Sequence, residues 1–118
     1  MKTPSAGMGE FDLIRSIRRK TRTGRSVVLG IGDDTAILKS DPSKETLFTT
    51  DMLVEDVHFR LTDATAYEIG RKALAVNLSD IAAMGGLPTQ AVVAVGLPGR
   101  LPEKFTGGLY EGIRGLAK

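Results

Sequence analysis

Apolar residues recur at helical spacing from Glu10 to about Lys20, where Phe11, Leu13, Ile14 and Ile17 alternate with charged neighbours. Thr21-Arg22-Thr23-Gly24 closes that run, so the segment reads as an amphipathic helix. The pattern then shortens. Ser26 to Gly30, Thr35 to Leu38 and Thr46 to Asp51 read as three strands, and Asp41-Pro42-Ser43-Lys44 as the hairpin turn between the last two. From Ala66 to about Met84 the apolar residues fall in two stripes, Ile69, Ala73, Val76 and Ala83 beside Leu74, Leu78 and Ile81. This is the longest predicted helix, apolar nearly all round and expected to be mostly buried. Gly85-Gly86-Leu87-Pro88 terminates it, Thr89 to Leu97 reads as a buried strand, and Pro102 opens a last helix from about Glu103 to Leu116. Glycines at 107, 108, 112 and 115 weaken that helix, each by about 1 kcal/mol against alanine. The expected fold is α/β of the α+β type: a small, mostly antiparallel sheet of about four strands, covered by helices, with the helix from Ala66 packed on it.

Composition narrows the class. A chain of 118 residues fits a single domain, and with 14 glycines and only 5% aromatics its core must be built from Val, Ile, Leu and Ala. The absence of cysteine removes disulfides and thiolate chemistry, and a cytoplasmic setting is the simplest reading. The formal charge of +2 conceals a basic run, Arg15, Arg18, Arg19, Lys20, Arg22 and Arg25, which reads as a solvated helix face and loop; no nucleic-acid partner is expected from it. No apolar segment follows Met1 to Gly7, so neither a signal peptide nor a membrane span is expected, and this stretch reads as a flexible leader.

The chemistry lies in oxygens. Asp33 and Asp34 in Gly30-Ile31-Gly32-Asp33-Asp34, Asp51 at the end of Phe48-Thr49-Thr50-Asp51, and Asp80 in Asn77-Leu78-Ser79-Asp80 suit Mg²⁺ and a polyphosphate, because Mg²⁺ takes hard oxygen ligands. Alternate residues on a strand place the Thr49 hydroxyl and the Asp51 carboxylate on one face. Asp80 falls within an apolar surround, where a carboxylate must meet a cation, a basic side chain or amide donors. The bland readings stand beside these. Asp80 pairs with Arg71 or Lys72 of a neighbouring chain or caps a turn, Gly-x-Gly is a plain turn, and Asp51 merely starts one. His58, the single histidine, is a satisfied polar side chain or contacts a substrate phosphate. The glycine loop lacks the Gly-Lys-Ser/Thr ending of a P-loop, and a strand rather than a helix follows it, unlike a dinucleotide fingerprint.

Four segments resemble one family. Gly9-Glu10-Phe11-Asp12-Leu13-Ile14, Gly30-Ile31-Gly32-Asp33-Asp34-Thr35-Ala36, Thr50-Asp51-Met52-Leu53-Val54-Glu55-Asp56-Val57-His58-Phe59 and Lys72-Ala73-Leu74-Ala75-Val76-Asn77-Leu78-Ser79-Asp80-Ile81-Ala82-Ala83-Met84-Gly85 are similar, in register from Gly9 to about Pro98, to the amino-terminal domain of thiamine-monophosphate kinase. That family sits in a superfamily with aminoimidazole ribonucleotide synthetase and selenophosphate synthetase. The resemblance implies ATP-dependent phosphorylation of thiamine phosphate to thiamine diphosphate, with ATP as co-substrate and Mg²⁺ as cofactor. The acceptor is already anionic, so positioning and charge neutralisation carry the catalysis, and no catalytic residue is assigned.

Residue by residue, the resemblance makes Asp34, Thr49, Thr50, Asp51 and Asp80 magnesium-site residues, with Asp33 ranked second to Asp34, and makes His58 a substrate contact. Asp56 is a departure, standing where the family pattern has glycine. The chain corresponds to the amino-terminal metal-binding and dimerising part, residues 1–118, without the carboxy-terminal domain, so the isolated chain is expected to be inactive or very slow. The resemblance also implies a homodimer whose two sheets close a shared barrel. Two alternatives remain: a dimerising or nucleotide-binding module without chemistry, and a sibling ATP-using synthetase.

Overall fold

The computed structural model describes residues 9–118; the leader expected at Met1 to Gly7 lies outside them. The chain divides into two compact units, residues 1–41 and 42–118.

In the first unit, helix α1 spans Glu10–Lys20. Glu10 and Asp12 occupy its first turn and Arg18, Arg19 and Lys20 its last, the arrangement that complements the helix dipole. Asp12 and Arg15 pair one turn apart on the exposed surface. At the other end the Thr21 hydroxyl donates to the Ile17 carbonyl at 2.8 Å and the Thr21 amide to Arg18. Strands β1 (Val27–Leu29) and β2 (Ile37–Leu38) follow and pair antiparallel, Val27 opposite Leu38 and Leu29 opposite Ile37, with an irregular register between. The connecting loop turns at Gly32, whose φ of 116° no L side chain adopts readily, with the Arg18 side chain lying against it.

The second unit is a helix pair with long extended connections. Helix α2 (Ala66–Ala83) begins at a complete capping box: the Thr65 side chain accepts the Glu68 amide and the Glu68 carboxylate accepts the Thr65 amide. Helix α3 (Glu103–Leu116) crosses α2 where Gly70 faces Leu109 and Gly112 faces Tyr67. At both crossings an added Cβ would strike a main-chain carbonyl of the opposite helix. The glycines that lower the propensity of α3 therefore include one that lets the two backbones touch. Ile69, Leu74, Leu109 and Thr106 are the buried side chains around this contact.

Three helices stand at the expected places, whereas the sheet does not reach the expected size. Among the described residues the sheet has two strands, β1 and β2, not four, and it is not closed into a barrel. Thr46 to Asp51 and Thr89 to Leu97 carry the residue types of strands yet form no ladder. β-Propensity reports fitness for a pleated surface and not the presence of a neighbouring strand. Their apolar side chains stay in solvent, with Phe48 84% and Val92 77% exposed. The mostly buried α2 is corrected as well. Its buried residues are Ile69, Gly70 and Leu74, and Asp80 is exposed, so the cost of a buried carboxylate does not arise there.

Candidate functional site

The acidic turn of the first unit uses its two carboxylates differently. Asp33 Oδ1 accepts the Asp34 amide at 2.9 Å, a local side-chain-to-backbone bond that stiffens the turn after Gly32. The Asp34 carboxylate is left facing solvent.

In the second unit, Thr49 Oγ1 donates to Asp80 Oδ2 at 3.2 Å, across 31 residues of sequence. An extended segment and the last turns of α2 thus bring together two of the predicted oxygen ligands. Thr49 is half-buried, while Thr50, Asp51 and Asp80 are exposed. Within the chain Asp80 meets this threonine, and Asn77, one turn earlier, donates to the Ala73 carbonyl at 3.0 Å. Among the described residues no three acidic or histidine side chains form a group that could hold a metal ion.

His58 belongs to a tight loop between Val54 and Phe59. Its amide donates to the Val54 carbonyl at 2.9 Å, and the Asp56 amide donates to Phe59 at 2.8 Å. Asp56 adopts a φ of 64°, the left-handed region that favours glycine. The backbone at this position therefore suits glycine, and Asp is among the residues that tolerate it. The His58 ring is held from inside the loop, its Nδ1 accepting the Val54 amide at 3.0 Å. From α2, Lys72 Nζ donates to the His58 carbonyl at 2.5 Å, and Arg100 reaches back to both oxygens of Glu55 at 3.0 Å. His58, Lys72, Arg60, Asp56, Asp63 and Glu68 stand around a cavity of about 380 Å³, a size suited to a small molecule. The Thr65 amide, with the Thr65 hydroxyl second, holds the Glu68 carboxyl below its ordinary range.

The sequence pointed to His58 but not to the partners that hold it. Those partners are Lys72, on the His58 carbonyl, and Arg100, on Glu55 of the same loop. The 14 and 45 residues separating them from their partners leave no local spacing from which either contact could be read.

Comparison with known proteins gives the family. Residues 32–118 match the family model described as AIR synthase related protein, N-terminal domain. The thiamine-monophosphate kinase of Bacillus subtilis is 46% identical over 111 residues, covering 94% of this chain and 34% of that protein. That of Mycobacterium tuberculosis is 42% identical over 106 residues, 90% of this chain and 32% of that protein. That of Escherichia coli is 49% identical over 92 residues, 76% of this chain and 28% of that protein. The chain spans about a third of the length of these relatives. No solved structure matches it. The chain belongs to the AIR synthase related family, matching its amino-terminal domain, and is homologous there to the thiamine-monophosphate kinases.

Proposed function

We propose that the chain is the metal- and nucleotide-binding amino-terminal part of a kinase that phosphorylates thiamine phosphate to thiamine diphosphate with ATP. The observation that carries this reading is the Thr49–Asp80 contact, which joins two oxygen donors from distant segments that the family motif marks as ligands. Hydroxyl and carboxylate oxygens are the donor chemistry Mg²⁺ requires, and an ion that keeps several waters needs few protein ligands. In the second unit Thr49, Thr50, Asp51 and Asp80 would hold the metal; in the first unit, taken by itself, Asp34 is the proposed ligand, with Asp33 bracing the turn. Magnesium, when bound, supplies neutralisation of the polyphosphate charge. The chain's own part is to hold these oxygens and to orient the acceptor, which is already a nucleophilic anion and needs no strong base.

His58 is the proposed contact to thiamine phosphate. The cavity beside it carries Lys72 and Arg60 together with Asp56, Asp63 and Glu68, a mixed lining that suits a ligand bearing both a cationic ring and a phosphate. A homodimer is part of the proposal, supported by apolar side chains on the extended segments, Phe48, Val92, Val93 and Val95, which are left in solvent. Calorimetric titration tests the reading. Mg-ATP and thiamine phosphate should each bind, with Asp80→Asn weakening Mg-ATP and His58→Ala weakening thiamine phosphate. Heat from neither ligand would sink it.

A further inference from the structure

We propose that Lys72 is a positioning residue for His58: its ammonium pins the His58 carbonyl, fixing the loop so that the imidazole serves as a one-atom hydrogen-bond donor through Nε2–H. The proposal rests on the reading of His58 as a substrate contact and deepens it by assigning which ring atom acts and what holds the ring.

The geometry accounts for the polar atoms of His58 one at a time. The amide is spent on the Val54 carbonyl at 2.9 Å. The carbonyl is spent on Lys72 Nζ at 2.5 Å. Ring Nδ1 lies 3.0 Å from the Val54 amide nitrogen, and a backbone N–H can only donate, so Nδ1 must present its lone pair. The neutral ring then carries its proton on Nε2, the remaining polar atom. An N–H at that atom suits an anionic oxygen and cannot accept a proton from it. His58 in this state binds phosphate and does not act as a base toward it.

Lys72 matters because it acts on His58 itself, whereas the other ties of the loop are its own short-range bonds, from Val54 and between Asp56 and Phe59, and the Arg100 contact to Glu55, three residues before the ring. Such a turn, closed at a left-handed Asp56, is the kind of segment that opens locally at little cost. Lys72 ties it to α2, a helix already fixed at its start by the capping box and packed against α3 through Gly70. A charged donor on a carbonyl is a stronger tie than a neutral one. Sequence position makes the tie efficient, since Lys72 lies one turn beyond Glu68, on the side of α2 that lines the same cavity as His58.

The test uses the 118-residue chain labelled with ¹⁵N, in which a single histidine gives one unambiguous pair of ring nitrogens. A coupling through the hydrogen bond between the Val54 amide nitrogen and His58 Nδ1 should be visible in the unaltered chain and in Lys72→Arg. It should be lost in Lys72→Met, which keeps the aliphatic stem and helix propensity while removing the donor. Affinity for thiamine phosphate should fall about five- to tenfold in Lys72→Met and recover in Lys72→Arg. Unchanged α3 amide resonances establish that the variant is folded; should it not be, Lys72→Gln, which keeps a neutral donor on a side chain one bond shorter, takes its place and should weaken the coupling. Persistence of the coupling in the folded variant overturns the positioning role, and its absence from the unaltered chain overturns the assigned ring state. If the coupling behaves as stated while thiamine phosphate fails to bind the unaltered chain, the substrate reading is wrong and the clamp stands.

Discussion

At the scale of single residues, Asp56 shows how a backbone angle decides which side chains a position can carry. Its φ of 64° is open to glycine at no steric cost and to aspartate at a modest one, whereas a β-branched side chain is strained there. Asp56→Gly should change stability by less than about 1 kcal/mol, and Asp56→Val should lose about 1–2 kcal/mol, both measurable by urea unfolding. The sequence shows the unusual residue; the backbone angle that explains it depends on the closed loop from Val54 to Phe59 and is not written in any local pattern. His58 divides in the same way. His58→Asn keeps an acceptor for the Val54 amide but withdraws the outer donor, so thiamine phosphate binding should weaken about tenfold while the melting temperature holds. A large fall in melting temperature with unaltered binding would show that the ring serves the loop alone.

Among the elements, the helices were legible because their signals are local: apolar spacing, and glycine and proline past the end of α2; the Thr65–Glu68 box that opens α2 is equally local but was not read from the sequence. The sheet was not, because Thr46 to Asp51 and Thr89 to Leu97 have strand chemistry without a strand beside them within the chain. The contact between Thr49 and Asp80 has no local spacing from which it could be read, since 31 residues intervene; only the family resemblance names both for one site. The capping box also sets a pH dependence. The Glu68 carboxyl is lowered in the folded chain by its bonds from Thr65, so its contribution to α2 is complete above the ordinary carboxylate range and is lost as the pH falls below it. Acid unfolding followed by circular dichroism should show that loss in the unaltered chain and a smaller pH dependence in Glu68→Gln. Thr65→Ala should cost about 1 kcal/mol at neutral pH. The glycines of α3 separate by surroundings. Gly107 has open space around it and Gly107→Ala should stabilise by about 0.5–1 kcal/mol, while Gly112→Ala, driven against the Tyr67 carbonyl, should destabilise by more than about 2 kcal/mol in the same urea titration.

At the scale of the whole molecule, large apolar side chains are exposed on segments without a ladder. Phe48, Met52, Leu87 and Val92 are each more than 70% exposed. Sedimentation velocity should therefore show a concentration-dependent shift to a dimer, and Phe48→Asp should move that shift to higher concentration; a monomer throughout the micromolar range would remove the dimer from the proposal. Within the second unit, the touching backbones of α2 and α3 have a consequence for how this protein can vary. At Gly70 the obstructing group is the main-chain carbonyl of Leu109, which every amino acid possesses, and glycine has no smaller replacement. No substitution at position 109 can make room for a side chain at position 70. A genetic search for second-site suppressors of Gly70→Ala should accordingly recover changes elsewhere along the two helices, ones that tilt or slide an axis, and none that act by trimming the contacting residue itself.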